Sequence, residues 1–228
     1  MFRLVFVRYF DSRLQLIQNP NKIKTFLLWR GCTLSGLERY PVGMNLSQAR
    51  ELMHEWVQSP ALRVHMEAVA ACMKAAALRH DPNMSAEDIE RWQIAGLLHD
   101  FDYERLPDEH PLPGVAHLET LGVDEEIRDA ILGHYFEKTK VARTTPMARA
   151  LFAVDELAGF IVACAKVRPD GLEGMEPKSV VKKLRQASFA AAVNREDIAL
   201  GVEELGVERN EHIAMCIEAM RGCEHVVV

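Results

Sequence analysis

The chain has nine histidines and 33 acidic residues in 228 positions. The ones able to act together are those that its periodicity turns inward. Leu62, Met66, Val69, Ala70 and Met73 recur at spacings of three and four, and His65 lies on the same helical stripe. Ile94, Leu97 and Leu98 lead straight into the adjacent pair His99-Asp100, and Ile127, Ala130 and Ile131 continue by the same spacing into His134. Asp155 falls at the centre of a stripe made by Ala148, Leu151, Phe152, Ala158, Gly159 and Val162. A carboxylate in that position is costly to bury unless it is paired or bound to a cation. Each group also has a plainer reading, as a hydrogen-bonded core histidine or as an aspartate capping a neighbouring helix. Four separate helices each placing a His or Asp inward favour a shared cation, and this donor set suits divalent Mn, Fe, Ni, Co or Zn.

The elements that must carry these residues announce themselves by their caps. Asn45-Leu46-Ser47-Gln48 is a capping box that opens a helix to about Val57. Ser59-Pro60 supplies an N-cap and a first-turn proline for a helix to about Arg79, and Ser85 opens one that reaches His99. Asp124 starts a helix to about His134, Thr145-Pro146 one to about Val167, and Asn194 one of the last two. No segment from Met44 onward alternates with period two, so the expected fold class is all-α.

Composition narrows the function. A net charge of -6 gives no basic field of the kind that draws proteins to nucleic acid, and no nucleic-acid partner is expected. No apolar run approaches the roughly 18 to 20 residues of a membrane-spanning helix. Five cysteines, odd in number and without a CxxC pair, argue against a disulfide framework or a thiolate zinc site and fit a cytoplasmic setting. Residues 1–43 carry seven Lys/Arg against two Asp/Glu, while the remainder carries 20 against 31. The expected organisation is therefore an N-terminal extension over 1–43 and a helical domain over 44–228. The extension reads as a packed appendage, a binding arm, or translated sequence upstream of a start at Met44.

The order His65, His99-Asp100, Asp155 resembles the H...HD...D signature of the HD-domain superfamily of metal-dependent phosphohydrolases, an all-helical family. Ala95-Gly96-Leu97-Leu98 before the HD pair and Leu151-Phe152-Ala153-Val154 before Asp155 are similar to the surroundings found there. The resemblance implies a helical bundle with the metal site in its core and one ion held by His65, His99, Asp100 and Asp155. A two-metal version of the family has two further histidines between HD and the last Asp. His110, in Glu109-His110-Pro111-Leu112-Pro113-Gly114, and His134 resemble that pair, with Asp100 as the bridge. His117, seven residues on from His110, competes for the same role. His54, His80, His212 and His225 lack such context and read as surface or packing residues.

What the resemblance implies chemically is hydrolysis of a phosphoric ester or anhydride by metal-activated water, with His99 and Asp100 at its centre and one or two divalent ions as cofactor. The chain is most similar to small stand-alone bacterial HD hydrolases, and its ligand pattern is similar to that of the diadenosine tetraphosphate hydrolases, so a small phosphoester or nucleotide is the expected substrate. Val167-Arg168-Pro169 and Pro177-Lys178-Ser179-Val180 also resemble that group. Arg168 and Lys178 are accordingly the favoured substrate-binding cations among candidates that also include Arg105, Lys138, Lys140, Arg143, Lys166, Lys182 and Lys183. Asp102 and Glu104, if beside the cluster, could orient the water or bind metal through it, but a solvated face is the favoured reading for both. Two alternatives stand: a di-iron oxygenase of the HD type, which uses a similar ligand order, and a non-catalytic module that keeps the metal for stability.

Overall fold

The computed structural model describes residues 43–226, so all but the last residue of the segment expected over 1–43 lies outside the described residues. Every described regular element is helical: α1 Leu46–Trp56, α2 Pro60–His80, α3 Ala86–Leu98, α4 Leu112–Thr120, α5 Glu125–His134, α6 Phe136–Thr139, α7 Pro146–Lys166, α8 Pro177–Leu184, α9 Arg195–Leu205 and α10 Arg209–Arg221. The capping box forms as written, with Gln48 N–H donating to the Asn45 side chain and Asn45 N–H to the Gln48 side chain, each at 2.9 Å. Ser59, Ser85, Asp124, Thr145 and Asn194 each accept a backbone N–H at the start of their helix. No helix among the described residues is long and apolar enough to cross a membrane.

The bundle is arranged around α7. Met147, Leu151, Val154, Leu157, Phe160 and Ile161 are all fully buried, so this helix is apolar on most of its circumference and is enclosed rather than laid on a surface. It packs against α2, α5, α9 and α10, and α2 in turn packs along α3. Each such side chain removed from water contributes roughly 1.5–3 kcal/mol before ordering costs. Asp155 is therefore carried by the helix with the most burial to hold it still.

The contact between α2 and α3 is close because residue 96 is glycine. A Cβ there would sit 2.9 Å from Ala70 Cα and 2.9 Å from Met73 Cγ, nearer than packed atoms approach. That close packing draws together the two helices that carry His65 and lead into His99-Asp100.

Candidate metal centre

The side chains that sequence periodicity turned inward converge. His65 Nε2, His99 Nε2 and Asp155 Oδ1 form a triangle with edges of 3.2, 3.1 and 3.3 Å. Asp100 Oδ2 lies 3.7 Å from His65 Nε2 and 3.4 Å from His99 Nε2. The other oxygen of Asp100, Oδ1, faces a second set, 3.2 Å from His110 Nε2 and 3.6 Å from His134 Nε2, with those two nitrogens 3.3 Å apart. All six residues expected to bind metal thus come to one place, in two groups that share one carboxylate.

The inner hydrogen bonds aim these groups. His99 Nδ1–H donates to Gly96 O at 2.7 Å, and His134 Nδ1–H donates to Ile131 O. A carbonyl only accepts, so Nδ1 carries the proton in both rings and Nε2 is left facing the cluster. His110 differs: its Nδ1–H donates to Asp102 Oδ1 at 2.6 Å, and Asp102 Oδ2 accepts Gly114 N–H at 2.8 Å. Asp102 is 1% exposed, so its expected place on a solvated face is wrong. It lies in the turns after α3, where no periodicity reports orientation. Its signal was chemical, a third carboxylate two residues from the HD pair.

Gly114 is required there, since a Cβ would lie 2.6 Å from the Asp102 carboxyl carbon. Glu104 is exposed as expected, but it has a job, accepting Gln58 N–H and Ser59 N–H at 3.0 and 2.9 Å and so tying these turns to the start of α2.

The electrostatics are those of a site short of positive charge. Burial alone would lower the pKa of His99, yet the Asp100 and Asp155 carboxylates beside it raise it well above the usual histidine value. Burial would raise Asp100 and Asp155, but His99, with His134 on one side and His65 on the other, draws both well down into the ionised form. Glu156, next along α7, is pushed up to about 7 by burial and then by the Asp155 charge, and it accepts Asn194 N–H.

Divalent first-row ions hold nitrogen and oxygen at about 2.0–2.2 Å, which sets ligand-to-ligand edges of roughly 3–3.5 Å. The edges here are of that size, and Nε2 lone pairs crowded against two ionised carboxylates fit a cation and little else. His65, His99 and Asp100 make one possible ion site, and Asp100, His110 and His134 another. Access is one-sided. The His99, His110 and His134 side chains are 0%, 3% and 6% exposed, whereas His65, Asp100 and Asp155 keep 20%, 18% and 18%.

The remaining candidates lie elsewhere. His117 turns away from the cluster and packs on Trp56 at 5.0 Å and Phe101 at 6.4 Å between ring centres. Lys166 ends α7 eleven residues after Asp155, roughly 16 Å along the axis, and Arg168 lies beyond it with its guanidinium on Gly171 O and Glu173 O. Lys178 projects from the start of α8 with 84% of its side chain exposed and pairs with Glu176. Arg105 is held by Trp56 O and Glu55 O, and Arg143 by Glu204. The structure brings neither Arg168 nor Lys178 into the cluster. His54, His80 and His225 are exposed, and His212 is a fully buried packing residue donating from Nε2 to Ala153 O.

Comparison with known proteins agrees with this geometry. Residues 63–159 match the family model described as HD domain, a span that begins just before His65 and ends just after Asp155. Compared with curated proteins and with solved structures, the chain has no match. The HD domain is that of a superfamily of metal-dependent hydrolases acting on small molecules, whose members bind divalent metal through such His and Asp groups. Residues 63–159, with their paired His/Asp groups inside an all-helical bundle, match the HD domain, which is consistent with an HD-domain superfamily protein.

Proposed function

We propose that the chain is a metal-dependent phosphohydrolase with a two-ion centre, acting on a small phosphoric ester or anhydride. The observation that carries this reading is the division of Asp100: Oδ2 faces His65 and His99 while Oδ1 faces His110 and His134. His65, His99, Asp100 and Asp155 would hold one ion, and Asp100, His110 and His134 the other. Divalent ions bound there supply Lewis-acid polarisation of a phosphoryl oxygen and bring the pKa of water towards neutrality.

The chain's own residues do the rest. The carbonyls of Gly96 and Ile131 keep protons on Nδ1 of His99 and His134, so neither ring can rotate without losing a buried hydrogen bond. Asp102 does the same for His110 through a carboxylate oxygen in place of a carbonyl. Burial of these three rings excludes water from one side. The part-exposed edge of His65, Asp100 and Asp155 leaves the other side for a phosphate, and Lys138, near the Tyr135 ring, adds positive charge at the rim.

The test is elemental analysis of protein purified without chelators or affinity metals, together with phosphate release from phosphomonoesters and dinucleoside polyphosphates under Mn(II). About two ions per chain with phosphate release are expected. Two irons and no phosphate release from any ester would replace this reading with oxygen chemistry, and metal with no turnover of either kind would replace it with a binding module.

A further inference from the structure

Seven large apolar side chains are exposed among the described residues, and four of them, Tyr103, Leu112, Tyr135 and Phe136, lie within three positions of Asp100, His110 or His134. Exposed apolar surface gathered at a site, rather than scattered, marks contact with a ligand. The two tyrosines share one neighbour. The Tyr103 ring stands edge-on to the His110 imidazole at 5.4 Å between centres, and the Tyr135 ring lies at 5.9 Å from it with an interplanar angle of 32°. Tyr135 is also 6.4 Å from the ring of His134.

These residues are 49% and 42% exposed, and neither phenol hydroxyl has a hydrogen bond among the described residues. No polar anchor holds them outward. They come from different elements, Tyr103 from the turns after α3 and Tyr135 from the junction of α5 and α6, and both reach the His110 ring of the Asp100–His110–His134 group. Lys138 Nζ, 5.9 Å from the Tyr135 ring and donating to Asp108 O, makes the same rim cationic.

We infer that Tyr103 and Tyr135 are specificity-determining residues that stack on a planar aromatic group of the substrate, so that the centre selects phosphoesters carrying a heteroaromatic base over phosphosugars of equal charge. The inference rests on the phosphohydrolase reading for the position of the phosphate, but the stacking surface itself does not need catalysis. Base–aromatic stacking tolerates different bases and contributes about 5- to 100-fold in affinity per ring.

Adenosine binding to the full chain, measured by calorimetry, isolates the base because adenosine has no phosphate to hydrolyse. Adenosine is expected to bind and ribose not to. Tyr103→Ala and Tyr135→Ala should each weaken adenosine by about 5- to 100-fold, whereas Tyr103→Phe and Tyr135→Phe retain it, since the ring and not the hydroxyl is used. No adenosine binding, or binding that both alanine variants leave unchanged, overturns the assignment. Phosphate release from adenosine 5′-monophosphate and ribose 5-phosphate under Mn(II) then separates the two readings. Equal kcat/KM for both esters, unchanged in ratio by the alanine variants, sinks the stacking assignment alone. Tyrosine-dependent adenosine binding with no release from either ester keeps the stacking site and removes the hydrolase reading.

Discussion

Two neighbouring regions each hold an inward imidazole, and they treat it in opposite ways. Around Asp100, every ring of His99, His110 and His134 spends Nδ1 on a carbonyl or carboxylate and turns Nε2 towards further donor atoms. Between Trp56 and Phe101, His117 is sandwiched among aromatic rings, with the Arg105 guanidinium 4.6 Å over Trp56, and its buried Nδ1 has no hydrogen-bond partner. At the first site the Asp100 and Asp155 carboxylates outweigh burial and raise the His99 pKa, while burial and then Arg105 push the His117 pKa down to about 4. Enclosure by itself therefore does not make a ligand. What does is a second hydrogen bond that fixes the tautomer, and a carboxylate within reach of the remaining nitrogen.

The largest effect that would break this contrast is at the bridge. Asp100→Ala should take metal content from about two ions per chain to nearly none and lower hydrolysis by more than about 100-fold, beyond what loss of a supporting residue costs. Full metal occupancy by elemental analysis in that variant would dissolve the proposed centre. Next come the single ligands: His110→Ala and His134→Ala should each leave one ion, and His117→Ala should leave both. A loss of metal from His117→Ala with none from His110→Ala would reverse the assignment of the two histidines.

Smaller effects sharpen it. Asp102→Asn keeps the shape of the His110 contact but removes its charge, so affinity for the second ion should fall by about 10- to 100-fold in a competition titration, with the first ion little changed. Equal weakening of both ions would show that Asp102 acts on the fold rather than on His110.

The last prediction concerns pH. His117 stays neutral when folded down to about pH 4, whereas its ordinary value is 6.5. Between those values the unfolded chain binds more protons, so His117 lets stability rise with pH across that window and costs it as pH falls from 6.5 towards 4. The span corresponds to on the order of 3 kcal/mol. His117→Phe should flatten the denaturation free energy by that order between pH 7 and 4.5 relative to the parent chain, and parallel profiles would show that another group carries the dependence.

The helix starts were legible in advance because cap chemistry is local: Asn45, Ser59, Ser85, Asp124, Thr145 and Asn194 each bond a backbone N–H within three residues. The inward turn of His65, His134 and Asp155 was legible for a related reason, since a stripe at spacings of three and four places a side chain on a known face. Helix α4 was not marked in this way, because Pro111 before it offers no side-chain cap. Asp102 was hidden by its setting in consecutive turns, where neighbouring side chains follow no repeating direction.

The sequence alone thus determined an all-helical chain, the faces on which its His and Asp residues lie, and a donor set suited to divalent metal. Only the tertiary structure decided that Asp100 divides its two oxygens between two groups of donors, that His110 and not His117 joins it, and that Asp102 stands behind His110. Those facts depend on how helices approach one another, as where Gly96 admits α2 against α3 and Gly114 leaves space for a carboxylate. Spacing along one helix sets a direction; it takes contact between helices to set a distance.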